Sequence, residues 1–360
     1  MPDYHLNIID FLDKSRVLPV IDVRSPSEFE RGHMPGAFNL PLFSNEERSV
    51  IGTLYLQKGS SEAILKGLEL IGPKLKEFAA AALNISSGRE VLLHCWRGGM
   101  RSNSMAWLLN TAGVKTCILD GGYKSYRRYV HDFFSGSLNL VVIGGMTGSG
   151  KTEVIEALES MGKQVIHLER LANHRGSVFG GIGLPAQPTT EQFENNLFDL
   201  LRHINTTDPV YVEDESLAIG HVFIPKPLYE QLTVARTFNL VVPRERRIRQ
   251  LVSAYAGGSK EMLVSGVRRI EKRLGLKNAA LAIEFIHKGN MTQAVETILH
   301  YYDKIYMRSM VLRKSRDVFE LNRHDETPAE TASRIVHIIQ QPQQSQQSQQ
   351  SQQSQPSLIP

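Results

Sequence analysis

The sequence predicts an α/β protein made of two successive parallel-sheet units, and three observations predict it. Short β-branched runs alternate with helix-forming stretches along most of the chain. Glycine-rich loops follow several of those runs. The length of 360 residues suits two domains of about 150 residues each. A hydrophobic content of 41% with 22% charged residues excludes a wholly disordered chain, a collagen and a coiled-coil rod.

Val17-Leu18-Pro19-Val20-Ile21-Asp22-Val23 reads as a buried strand. In Ser25-Pro26-Ser27-Glu28, a capping serine, a proline at the first helical position and a glutamate at the third start a helix. Gly32 to Ala37 is turn chemistry. Residues 61–84, rich in Ala, Leu, Lys and Glu, predict a helix. Glu90 to His94 is a second buried strand, Ser102 to Leu109 a helix, and Thr116 to Leu119 a strand closed by Gly121-Gly122. A new unit opens near Gly136 with the apolar strand Leu138 to Ile143, a glycine-rich loop and the helix Thr152 to Met161. Further strands are expected at 164–168, 209–213, 237–242 and 317–321, and 244–314 reads as almost wholly helical. From Gln340 the chain is Gln, Ser and Pro apart from Leu358-Ile359, a composition that cannot bury a core. The expected organisation is therefore 1–135, 136–339 and a disordered tail at 340–360.

Compartment and partners follow from charge and cysteine usage. Two cysteines cannot make a disulfide framework, the first residues lack a secretory pattern, and no apolar run approaches the roughly 20 residues of a membrane span. A cytoplasmic location without membrane association is the expectation. Residues 243–323 hold 17 Lys and Arg against 8 Asp and Glu, while the rest of the chain carries 24 against 29. That concentration of charge suits a polyanion, or else a set of solvated helix faces.

Cys95 follows an apolar strand and precedes a helix, in Cys95-Trp96-Arg97-Gly98-Gly99-Met100-Arg101. Such a loop turns backbone N–H groups inward, its glycines clear the cradle, and Arg97 and Arg101 add positive charge. These features lower a thiol pKa, so Cys95 is the candidate nucleophile and the same loop an oxyanion site. Cys117, inside an apolar strand, reads as packing. A second cradle is Gly145-Met146-Thr147-Gly148-Ser149-Gly150-Lys151-Thr152, which fits G-x-x-x-x-G-K-[ST] between a strand and a helix. Its backbone amides and Lys151 suit phosphates, and Thr152 suits Mg²⁺. Asp214 or Glu213, at the end of the 209–213 strand, is positioned to hold a metal or its waters. Glu169, His174 and Arg175 follow another strand and so face the same site.

Asp22-Val23-Arg24, Glu28, Gly32-His33-Met34-Pro35-Gly36-Ala37 and the Cys95 loop resemble the rhodanese family over about residues 10–135. Rhodanese-like sulfurtransferases carry a persulfide on the matching cysteine. The seven-residue loop closed by Arg101 is more similar to that of rhodanese-fold phosphatases and suits a larger anion. Gly121-Gly122-Tyr123-Lys124, Leu168-Glu169, His174-Arg175-Gly176-Ser177 and Glu213-Asp214-Glu215-Ser216 join these to the phosphate loop. The whole combination resembles the bacterial tRNA 2-selenouridine synthase family over about residues 5–338.

The resemblance implies a rhodanese-like domain followed by a P-loop α/β domain with a basic helical region. It implies conversion of 2-thiouridine at wobble position 34 of tRNA to 2-selenouridine. Selenophosphate would be the selenium donor, and an S-geranyl intermediate would be made from geranyl diphosphate. Cys95 matches the cysteine that would carry selenium. The phosphate loop would then hold geranyl diphosphate, and a selenophosphate-supplying enzyme is an expected partner. The anticodon stem-loop would meet Arg244, Arg246, Arg247, Arg249, Arg268, Arg269, Lys272 and Arg273, with Trp96 or Tyr123 as a stacking surface or simply as packing. The reading requires Cys95 to be reachable. Alternatives are a rhodanese-type tRNA sulfurtransferase, a cysteine-dependent phosphatase fused to a P-loop kinase, and a non-enzymatic RNA-binding adaptor.

Overall fold

The computed structural model describes residues 5–87, 89–255, 258–312 and 317–341. The expected disordered tail lies outside the described residues beyond Gln341, as do residues 256–257 and 313–314 of the expected helical region. The chain forms two compact units. The first runs to Ser137 and recruits Gln187–Ile204 and His221–Leu228. The second comprises Leu138–Ala186, Asn205–Gly220 and the residues from Tyr229 onward. The span 136–339 therefore does not lie wholly in one unit.

In the first unit five parallel strands, β1 (His5–Leu6), β2 (Val20–Asp22), β3 (Phe38–Asn39), β4 (Glu90–His94) and β5 (Lys115–Leu119), are ordered β1-β5-β4-β2-β3. Central β4 buries Val91, Leu92 and Leu93 completely. β2 is shorter than expected: Val17 is 83% exposed, and Pro19 has no N–H for the ladder, serving only as acceptor for Leu92 N. The helix expected at 61–84 is split into Ser60–Ile71 and Leu75–Ser86 by a turn at Gly72–Lys74, where Pro73 cannot donate. The Asn45–Lys58 helix buries no residue, so it shows no apolar stripe in the sequence.

The helix Gly122–Phe133 buries Tyr123, Tyr126 and Val130 at helical spacing. On it packs the helix Thr190–Leu201, whose Phe198 meets Tyr126 and Phe133 edge-on and whose Asn195 accepts from Arg127 at 2.5 Å. Gly122 has a φ of +59°, and a Cβ there would lie 2.3 Å from Cys95 O and 2.4 Å from Gly98 N. Gly122→Ala combines a strained backbone with a collision against the cysteine loop. We expect it to lower stability by about 2 kcal/mol or more, measured by denaturant unfolding.

In the second unit β6 (Leu140–Gly145), β7 (Gln164–Ile166), β8 (Val210–Glu213), β9 (Arg236–Val241) and β10 (Val318–Asn322) are also parallel, ordered β10-β9-β6-β8-β7. The chain moves from β6 to one side, then returns to β9 on the other. The strand ends around β6 are therefore where such a sheet holds ligands. The expected helical region is four helices, Arg244–Tyr255, Lys260–Leu274, Leu276–Lys288 and Met291–Leu312. They share a core that includes Leu263, Val267, Ile270, Ile286, Ile298 and Leu299. Each such side chain stabilises the bundle by about 1.5–3 kcal/mol. Among the described residues no helix is long and apolar enough to cross a membrane.

Candidate functional site

Cys95 sits at the carboxyl end of β4, and its loop runs into the helix Met100–Thr111. The loop is clamped from below: Tyr123 N donates to Cys95 O and Lys124 N to Trp96 O, both at 2.9 Å. Cys95 Sγ lies 3.3 Å from Ser102 Oγ. Burial pushes the thiol up, but the Ser102 hydroxyl, the backbone N–H groups of Arg97 and Ser102 and, last, the Arg101 charge together bring it below its ordinary value. Hydrogen-bond donors thus contribute more than the arginine charges. Ser102 Oγ also reaches Gly99 O at 3.0 Å, so its one hydroxyl proton must turn from that carbonyl to serve a thiolate. Cys95 is only 3% exposed, so access to the sulfur is narrow and the test of reachability is chemical. The midpoint of Cys95 alkylation against pH should lie below that of a free thiol. Ser102→Ala should raise it, because a donor to the charged form is lost.

Arg101 is not a free anion clamp. Its two terminal nitrogens donate to Glu28 at 2.7 and 3.3 Å, and Glu28 also accepts from Ser25 N at 3.0 Å. Burial pushes Glu28 up, but the Arg101 pairing outweighs it and holds the carboxyl below its usual range. The Arg97 side chain is exposed, and the residue contributes its backbone N–H to the sulfur. Beneath the loop, Arg24 donates to Asp22 through Nε and one terminal nitrogen, at 2.6–3.0 Å, and lies over the Tyr123 ring at 3.6 Å. His94 is fully buried beside them, and burial lowers its pKa to about 4, so it is neutral at pH 7.

Tyr123 is 0% exposed, and its hydroxyl donates to Glu191 and accepts from Asn195, so it cannot stack on a base. Trp96 is 37% exposed and remains available. Cys117 accords with packing: burial and the Glu90 carboxylate at 3.2 Å raise its pKa. Lys14, more than a hundred residues away in sequence, lies 3.9 Å from it.

In the second unit Gly145, Gly148 and Gly150 have φ of +150°, +80° and +79°. Any Cβ at Gly145 would strike Ser149 Oγ at 2.3 Å. These conformations form the expected cradle from Gly145 through Thr147, Gly148, Ser149 and Gly150, with the helix Lys151–Ser160 behind it. Lys151 Nζ donates to Gly145 O at 3.2 Å, and Thr152 Oγ1 donates to Glu169 Oε2 at 3.1 Å. Ser149 Oγ is buried without a hydrogen-bond partner.

The acids divide by role. Glu213 is fully buried, and its Oε2 accepts from Leu168 N at 2.7 Å while Oε1 stands 3.8 Å from His167 Nδ1. It braces the ends of β7 and β8 and leaves Asp214, half-exposed beside it, as the metal candidate. Glu215 hydrogen-bonds Glu169; burial is the main cause that raises both carboxyls, helped at Glu169 by the Glu213 charge and at Glu215 by the Glu169 charge, which takes Glu215 well above its ordinary value. The sequence motif assigns Glu215 no role, because a pairing with Glu169 has no spacing to betray it. His174 and Arg175 lie in a bonded turn, where His174 N donates to Glu169 O and Arg175 N to Gly180 O, each at 3.0 Å. The Arg175 side chain points to solvent.

Of the eight expected polyanion contacts, Arg244, Arg249, Arg268, Arg269, Lys272 and Arg273 are exposed. Arg246 is tied to the carbonyls of Arg323, His324 and Glu326. Arg247 is 4% exposed and bound to Asp303 and Thr147 O, so it is not a surface contact, because its charge is already buried and paired. Arg246 and Arg249 line an open depression of about 770 Å³ with Arg323 and His324, but Glu153, Glu245 and Asp325 line it too. Its balanced charge makes the exposed helix faces the better polyanion surface.

A family model described as the tRNA 2-selenouridine synthase AAA domain matches residues 138–335, and the rhodanese-like domain model matches residues 7–129. The tRNA 2-selenouridine synthase of Nitrosomonas eutropha is 33% identical over 85% of this chain and 92% of its own length. That of Nitrosomonas europaea is 34% identical over 84% and 91%, and that of a Sulfurovum species 33% identical over 85% and 93%. Because these matches span both units at this identity, the chain belongs to the tRNA 2-selenouridine synthase family.

Proposed function

We propose that this chain replaces the sulfur of 2-thiouridine at wobble position 34 of tRNA with selenium, using selenophosphate, by way of an S-geranyl intermediate made from geranyl diphosphate. The observation that carries the reading is the presence in one chain of two different anion cradles. One holds a cysteine whose thiol is brought down by surrounding donors. The other is a glycine loop with Lys151 at its mouth.

The chemistry needs both. A thiocarbonyl is a poor leaving group, and alkylation makes it a good one. In the first step the sulfur bonds to C1 of the geranyl group, the C–O bond to diphosphate breaks, and the diphosphate leaves with the electron pair. The base N3 proton goes to solvent. In the second, water attacks the phosphorus of the donor and the Se–P bond breaks with its electron pair on selenium, giving phosphate. Selenium bonds to C2, the C2–S bond breaks, geranyl thiol departs after taking up one proton, and N3 regains its proton from solvent. Cys95 handles the selenium donor and the phosphate loop holds the diphosphate.

Thr152, Asp214, Glu169 and Glu215 offer only oxygen, the donor type of a hard cation, although no three His, Cys, Asp or Glu among the described residues converge into a closed metal site. That fits Mg²⁺ shared with bound phosphates, with Thr152 and Asp214 as its protein contacts; when bound it would neutralise diphosphate charge.

The deciding experiment incubates the protein with thiolated tRNA, geranyl diphosphate and selenophosphate, omitting each in turn, and identifies the wobble nucleoside by mass spectrometry. Omitting selenophosphate should leave S-geranyl-2-thiouridine, and omitting geranyl diphosphate should leave 2-thiouridine. Selenation without geranyl diphosphate would refute the route. The exposed arginines are the tRNA surface in this proposal. Its affinity should therefore fall steeply with salt, and Arg249→Ala should reduce the log–log salt slope by about one, measured by filter binding.

A further inference from the structure

We infer that Arg247 and Arg323 are positioning residues for the phosphate loop, each turning one backbone N–H of that loop into the cradle where the diphosphate sits. The inference rests on the diphosphate reading above. Arg247, on the helix Arg244–Tyr255, donates through one terminal nitrogen to Thr147 O at 3.2 Å. Arg323, immediately after β10, donates to Ser149 O at 3.0 Å. Both acceptors are main-chain carbonyls of the loop. In a planar trans peptide the N–H points opposite to the C=O. Drawing Thr147 O towards Arg247 therefore turns Gly148 N–H the other way, and drawing Ser149 O towards Arg323 does the same for Gly150 N–H.

The glycines fit this arrangement closely. Gly148 and Gly150 both hold left-handed backbone. A Cβ on Gly148 would sit 2.9 Å from Arg247 O, and one on Gly150 only 2.6 Å from the Arg323 terminal nitrogen. Glycine is thus needed on the outer side of the loop, where the arginines press, as well as on the ligand side.

Charge points the same way. Burying a guanidinium is costly unless it is paired. Asp303 offsets Arg247 through two bonds at 2.8 and 3.0 Å. Arg323 is 3% exposed, makes no ion pair among the described residues, and its Nε has no hydrogen-bond partner. Burial, with Arg246 nearby, pushes its pKa down, while Glu153 and Glu326 act on it only through their longer-range field. An anion in the loop supplies the missing compensation. Arg247 thus moves from the tRNA surface to the phosphate site, and Arg323 joins it there.

The test measures binding of inorganic diphosphate to the full-length protein by calorimetry, with tRNA affinity measured in parallel. Arg323→Gln should weaken diphosphate binding at least tenfold. Arg323→Lys, which keeps the charge but not the planar fork, should weaken it about threefold or more. Both should leave tRNA affinity within twofold, whereas Arg249→Ala should do the reverse. Two variants are used so that a folding failure in one leaves the other to decide. Diphosphate affinity within twofold of the parent in either folded variant overturns the inference. Should Lys151→Ala lose diphosphate while the Arg323 variants keep it, the inference alone fails. Should the parent protein not bind diphosphate, or Lys151→Ala bind it equally well, the reading of the loop fails and the inference falls with it.

Discussion

Lys151→Ala should abolish formation of the S-geranyl nucleoside while sparing selenation of a tRNA that already carries it. Lys151 Nζ rests on Gly145 O at 3.2 Å, at the mouth of a cradle otherwise built from uncharged backbone groups. Its ammonium is the group best placed to meet charge that builds on a departing diphosphate. Losing one such preorganised donor costs about 10²–10³-fold in rate. Mass spectrometry of the wobble nucleoside, with and without pre-geranylated tRNA, reads both halves. Normal geranylation by the variant would remove the loop from the reaction. A matching loss of selenation from pre-geranylated tRNA would show that the two cradles do not divide the work.

Cys95→Ser should give the mirror result: S-geranyl-2-thiouridine accumulates and selenouridine does not form. Serine preserves shape and hydrogen bonding beside Ser102, but its hydroxyl is neither a soft nucleophile nor ionised near neutral pH. The low exposure of Cys95 sharpens the experiment, because a merely packed cysteine would tolerate this near-isosteric change. Selenouridine formed at the parent rate would return Cys95 to the status of a buried core residue.

Much of this architecture was legible in the chain. β4 was read to the residue, because a fully buried strand in a parallel sheet is a continuous apolar run. The phosphate loop was legible because its glycines and lysine have local reasons to stand at fixed spacing. The Asn45–Lys58 helix was not, since it buries nothing. Nor was the attachment of Thr190–Leu201 to the first unit, which depends on Phe198, Asn195 and Glu191 meeting Tyr126, Arg127 and Tyr123 across more than sixty residues of chain.

The sequence by itself determined the two parallel-sheet units, the cysteine and phosphate loops and the basic character of the helical region, because each is written in short-range periodicity, glycine placement or composition. Only the tertiary structure decided which charges are free. It tied Arg101 to Glu28, sank Arg247 beside Asp303, brought Arg323 behind the phosphate loop and paired Glu215 with Glu169. The physical reason is that a charge is defined by its partner and its burial, and both are set by residues distant in sequence that the fold brings within a few ångströms.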